Sequence, residues 1–264
     1  YWKDLWNYRG LFYFLAWRDV LIRYKQTALG VLWSVLRPLL TIFAMWFIGK
    51  LFNAPLPEGV PRVLLVCAAT LPWQFFSTSF SESSNSLIAN SNLLTKVYFP
   101  RIIIPVSTVI VCLLDFFISF AILVIIMICT RFAPDIKILF LPLFLLLALF
   151  TSMGTGLYIA ALNVKYRDFK YIVPFIVQFG LYISPIAFSS ETIYNHPHIP
   201  QIIKFVYSLN PMVSVVDGFR WCILGGKTAL YLPGFLISIG ISILFLIIGI
   251  SYFRRTEKSF ADII

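Results

Sequence analysis

The chain reads as an all-α integral membrane protein: six transmembrane helices, an N-terminal amphipathic interface helix, and short re-entrant helices between spans five and six. Three observations lead there. Of the 264 residues, 60% are hydrophobic and only 12% are charged, with a mean hydropathy of +0.89; a soluble domain of this size needs far more polar surface. The apolar residues gather in runs of about twenty, the length of a helix crossing a bilayer core. Nearly all of the 21 Lys and Arg lie between these runs and form no separate basic helix, so the formal charge of +10 points to membrane topology and not to nucleic acid.

Residues 1–30 come first. Trp2, Leu5, Trp6, Leu11, Phe12, Phe14 and Leu15 alternate with Lys3, Asp4, Arg9, Arg18, Asp19 and Arg23. The segment is too polar to span, and its Trp, Tyr and Arg suit the headgroup level, so it is expected to lie in the interface as a helix. Tyr1 to Arg9 lacks the basic, apolar and small-residue order of a cleavable leader. The spans are expected at about 31–51, 63–81, 103–129, 138–161, 172–188 and 233–253, within 31–253, followed by a tail at 254–264. An even number puts both termini on one side. With the N-terminus inside, roughly two thirds of the Lys and Arg fall on the inner side, as the positive-inside rule requires.

The connections differ. Loops 52–62 and 130–137 are short and outside. The inner link 82–102 begins with Glu82-Ser83-Ser84-Asn85-Ser86 and reads as a polar connection. Within the long outer stretch 189–232, Met212 to Leu224 is apolar but carries Asp217 and Arg220. A dozen residues cannot cross a core of about 30 Å. A re-entrant or interfacial helix is expected there, with Asp217 and Arg220 paired at i, i+3.

Motifs that carry chemistry are sparse. Gly226-Lys227-Thr228 resembles the end of a phosphate-binding loop, but Trp221 stands where that loop needs glycine. If transport uses ATP, a separate subunit must supply the nucleotide site, and ATP and Mg²⁺ would be bound there, with no cofactor in this chain. His196 and His198 have only Glu191 nearby, too few ligands for a metal site. Cys67, Cys112, Cys129 and Cys222 form no CxxC pair. Asp115 is the only acid deep in a span, where an ion-coupled pump shows several; it reads as partner to a polar neighbour or as lining of a wet cavity, with a coupling acid as the alternative. No acid/base cluster of an enzyme is present. Aromatic residues make up 17% of the chain. Phe43, Trp46 and Phe47 share one face of the first span, and Phe175, Phe179 and Tyr182 one face of the fifth. Such faces stack on sugar C–H surfaces or simply pack between helices.

Long segments carry a family resemblance. They are Arg18-Asp19-Val20-Leu21-Ile22-Arg23-Tyr24-Lys25 through Trp33, Arg37-Pro38-Leu39-Leu40, Leu71-Pro72-Trp73 with Phe75-Phe76-Ser77, and Asn92 to Arg101. Leu162 to Asp168, Leu209-Asn210-Pro211-Met212, Gly218-Phe219-Arg220-Trp221, and Phe253-Arg254-Arg255 to Phe260-Ala261-Asp262 complete the series. In this order they resemble the ABC type-2 permeases that export polysaccharide, the O-antigen (Wzm-like) branch above all, and are similar to teichoic acid permeases.

That resemblance implies a permease without enzymatic activity in the inner membrane, both termini cytoplasmic. Two copies would pair, two ABC ATPase subunits would dock beneath them, and undecaprenyl-diphosphate-linked glycan would be the cargo. The first and fifth spans would frame the channel, lined by the six aromatic residues above. Leu94, Lys96, Tyr98, Phe99 and Arg101 would couple to the ATPase. Arg18, Arg23 and Arg37 suit the diphosphate headgroup, since guanidinium pairs bidentately with phosphate; topology and lipid contact also account for them. Asn210, Asp217, Arg220 and Trp221 would belong to the outer mouth. Export of a small amphiphile by the same architecture is the alternative.

Overall fold

The structure, a computed structural model, describes residues 6–25, 30–52, 55–96, 99–166, 168–194 and 196–260. The helices in chain order are α1 (Arg9–Lys25), α2 (Gly30–Leu51), α3 (Arg62–Ala89), α4 (Ser91–Lys96), α5 (Ile103–Cys129), α6 (Leu141–Lys165), α7 (Phe169–Ile183), α8 (Glu191–Tyr194), α9 (Gln201–Ser208), α10 (Pro211–Ile223) and α11 (Leu232–Thr256). A 3-10 turn at Ile136–Phe140 leads into α6, and another at Glu257–Ser259 follows α11. The chain is a multi-pass membrane protein. Among the described residues, five helical segments are long and apolar enough to cross a bilayer, and α7 is a shorter apolar helix.

The centre of the bundle is α3. It packs on α5, α6, α2, α7 and α10, and most of its residues from Leu64 to Leu87 are buried. Its length corrects the expected polar link at 82–102. The helix runs to Ala89, so Glu82 to Ser86 are helical. The reason is steric and electrostatic together. Ser83 is small enough to face Gly156 of α6 closely, and the Ser86 hydroxyl donates to the Ser83 carbonyl within its own helix (2.8 Å). A serine that satisfies itself this way travels into a helix interface at little cost.

Helix α6 also packs along α11. Gly154 and Gly249 meet there: a Cβ on Gly249 would sit 2.1 Å from the Gly154 carbonyl oxygen. Only glycine lets two backbones approach so closely, as membrane helix interfaces require.

The fifth span ends earlier than the apolar run of 172–188 suggests. Helix α7 stops at Ile183, and Ser184 is extended (φ −75°, ψ 148°). Ser184 precedes Pro185, and the proline ring disfavours helical backbone in the residue before it. At 1.5 Å per residue, fifteen residues reach only about 22 Å. The chain continues through bends at 184–188 into α8, α9 and α10. We call the end of the bundle holding these helices apical, and the end holding α1, α4 and the close of α11 basal.

Two apolar cores follow this division. The larger one holds α3, α5, the start of α6 and α10, with Phe75, Phe116, Phe144 and Phe219 at its heart. The smaller, basal core joins Leu15 of α1, Leu87, Leu94 of α4, Phe99, Ile102 to Ile104, Leu157 and Phe253 with Phe260 of the tail.

Candidate functional site

The aromatic faces picked out by spacing lie on helices flanking α3. Helix α2 turns Ile42 and Met45 inward and leaves Phe43 (62% exposed) and Phe47 (54%) outside, with Trp46 half-buried and stacked on Phe43 at 6.0 Å. Helix α7 buries only Val173. Its Phe175 and Phe179 rings lie 4.1 Å apart and are exposed along with Tyr182. Close seating of α7 on α3 depends on Gly180, where a Cβ would meet the Trp73 ring at 2.5 Å. Among the described residues nothing covers either aromatic face.

Between α1, α2, α3 and α5 lies a cavity of about 250 Å³ whose lining includes Arg23, Ser34, Arg37, Gln74, Glu82 and Asp115. Pro38 sits inside α2; its missing N–H frees the carbonyl of Ser34 one turn earlier. Asp115 gathers three elements. It takes hydrogen bonds from Arg23 and Tyr24 of α1 and from the Ser34 hydroxyl of α2 (3.3 Å). Arg23 also bonds Glu82 of α3 at 2.9 Å. Burial, with the Asp115 carboxylate beside it, pushes the Tyr24 phenol up to about 12, so it remains a donor at neutral pH.

Arg23 therefore meets two carboxylates, and Arg18 bonds Asp19 at 2.7 Å and the Asn90 side-chain oxygen at 2.8 Å. Of the three arginines expected at a headgroup, only Arg37 is exposed with no ion pair among the described residues. The acids that compete for Arg23 are 59 and 92 residues away in sequence, beyond the reach of any local pattern.

Where the inner link is described, part of it is turned toward the protein. Leu94 and Phe99 are buried in the basal core. Arg101 donates to the Glu257 carbonyl. Helix α4 ends at Lys96, and Tyr98 lies outside the described residues.

At the apical end, α10 is buried along nearly its whole length. Asn210 caps it, its side-chain oxygen accepting from the Met212 N–H at 3.0 Å, and Gly218 lets the Phe144 ring pass close to the backbone. The expected Asp217–Arg220 ion pair gives way to another arrangement. Arg220, 0% exposed, donates from Nε to the Leu65 carbonyl (3.2 Å), from Nη1 to Phe188 (2.7 Å) and from Nη2 to Ile186 (2.8 Å). Asp217 takes the Ser190 hydroxyl as its hydrogen-bond partner. The guanidinium fork serves carbonyls that the bends after α7 strip of helical partners, and the pair interacts only through space. Trp221 is covered by Phe140 (6.0 Å) and by the Lys137 ammonium (5.3 Å). Asp217 and Arg220 thus face the protein interior.

A bundle with several membrane-length apolar helices defines the class of multi-pass membrane proteins, and comparison fixes the family. Residues 10–224 match the ABC-2 type transporter family, and the chain belongs to it. Among curated proteins it is similar to an O-antigen export system permease protein RfbA of Klebsiella pneumoniae, 27% identical, covering 94% of this chain and 92% of the relative. A second such permease from the same organism is 26% identical with the same coverage. The one from Myxococcus xanthus is 27% identical over 83% of this chain and 82% of its own length.

Proposed function

We propose that this chain is the permease subunit of an ATP-driven exporter that moves lipid-linked polysaccharide across the cytoplasmic membrane. The observation that carries the reading is the near-full-length similarity to O-antigen export permeases. The uncovered aromatic faces of α2 and α7 support it. A second copy set against these faces encloses a path walled by aromatic rings, on which successive sugars stack and slip without tight binding. In this reading the basal end is cytoplasmic, two ABC ATPases dock there with ATP and Mg²⁺, and both termini lie inside. The cargo is a glycan on undecaprenyl diphosphate, and Arg37 offers its guanidinium at the inner interface.

Gene deletion tests the reading. Surface polysaccharide and lipid-linked glycan are measured together. Loss of the first with build-up of the second inside the cell is expected. Unchanged surface glycan without internal build-up refutes polysaccharide export and favours a small amphiphile as cargo.

A further inference from the structure

The segment that follows α11 stays packed on the basal core. After Thr256 the chain continues as the 3-10 turn Glu257–Ser259, and Phe260, only 1% exposed, enters the basal core with Leu94 and Phe99. Its ring meets Phe253 edge-on at 5.5 Å. Arg101 closes the arrangement from the other side: its guanidinium lies 5.9 Å from the centre of the Phe260 ring and donates to the Glu257 carbonyl. Helix α5 begins at Ile103, two residues further on. The tail, the inner link, the start of a long span and the end of another meet in one packed unit. The family match ends at residue 224, so the tail lies beyond what that match describes.

A link held only by its own short helix yields when pushed. Helix α4 has six residues, too few to be stiff without tertiary packing. A force applied to the link reaches α5 and α11 only if something fixes the link against them. Phe260 and Arg101 are the groups positioned for this: an apolar plug beneath Leu94 and Phe99, and a planar cation on the plug's ring tied to the turn behind it.

We infer that the tail segment Glu257 to Phe260, held by Arg101, is a strut that positions the inner link, so that ATP-driven movement of a docked partner is passed into α5 and α11. The inference rests on the reading of this chain as an ABC exporter subunit. It makes Arg101 and Phe260 positioning residues and turns Arg101 away from direct contact with the ATPase.

The test uses the full-length permease with its ATPase subunits in vesicles. Three readouts are taken: ATP hydrolysis, lipid-linked glycan moved per ATP, and thermal midpoint. Phe260→Ala and Arg101→Gln should keep hydrolysis within about twofold and lose about tenfold in glycan moved per ATP, the size of a typical coupling between sites. Phe260→Leu, which keeps an apolar plug but removes the ring, should retain the midpoint and still lose several-fold by the same comparison. Arg101→Lys should recover part of the loss. Phe219→Ala, in the larger core, is the control: it should lower the midpoint at least as far as Phe260→Ala but leave glycan per ATP intact. Unchanged glycan per ATP in Phe260→Ala and Arg101→Gln, or a parallel fall in Phe219→Ala, overturns the strut. A wild-type complex that hydrolyses ATP but moves no lipid-linked glycan overturns the functional reading and the strut with it.

Discussion

Replacing Arg220 by Met tests what holds the apical end together. Methionine retains most of the volume and removes the fork. Of the three carbonyls that lose a donor, Leu65 lies inside α3 and keeps its helical neighbours, whereas Ile186 and Phe188 lie in the bends after α7. Each buried carbonyl left without a partner costs about 1–3 kcal/mol, so the two together cost about 2–6 kcal/mol. Removing a fully buried cation offsets part of this, because desolvating it cost several kcal/mol. A net loss of about 2–4 kcal/mol follows, roughly a 30- to 1000-fold shift in the folding equilibrium. Unfolding in mixed micelles, titrated with a denaturing detergent and followed by circular dichroism, reads it. Arg220→Lys should fall between wild type and Met, since one ammonium cannot reproduce a planar fork aimed at separate carbonyls. A Met variant within about 0.5 kcal/mol of wild type, the scatter of an ordinary surface change, refutes the argument; full rescue by Lys refutes the role of the fork.

Two further predictions concern the bundle. Gly249→Ala should cost about 1–3 kcal/mol, the usual range for overpacking, because its Cβ meets backbone of α6 that cannot rotate aside; unchanged stability in the same micelle titration contradicts the contact. Asp115→Asn should loosen α1 from α2 and α5, seen as faster hydrogen exchange in α1 with little change in α6. Matching exchange in both proteins shows that Asp115 does not hold the helix.

Much of this fold is legible in the sequence because lipid imposes one rule on it: a crossing helix must be apolar and about twenty residues long. Helices α2, α5, α6 and α11 begin and end within a few residues of the expected spans. The two departures come from side chains whose role depends on neighbours. Ser83 and Ser86 count as polar in any hydropathy sum, yet the small size of Ser83 against Gly156 and the self-satisfied hydroxyl of Ser86 carry α3 on to Ala89. Pro185 stops α7 while the run of apolar residues continues.

The candidate site was legible in its residue types and less so in its partners. Spacing places Phe43 with Phe47, and Phe175 with Phe179, because period and face suffice for that. It also sets Asp217 one turn from Arg220, but proximity does not decide who bonds to whom. Arg220 finds its acceptors 32, 34 and 155 residues away, and Arg101 finds its acceptor 156 residues away. A guanidinium goes to the carbonyls in greatest need of a donor, and only the folded chain reveals which those are.

The early end of α7 has a bearing on what must be shielded from lipid. A helix reaching about 22 Å leaves the rest of a hydrocarbon layer of about 30 Å to bent backbone and the re-entrant α10, which survive there only when enclosed by protein or water. The apolar wall that α7 itself supplies is correspondingly short. In the proposed exporter, a hydrophilic polymer moving along that helix meets an apolar wall no longer than the helix itself, so the cost of dehydrating each sugar falls on a shorter stretch than the full membrane would demand.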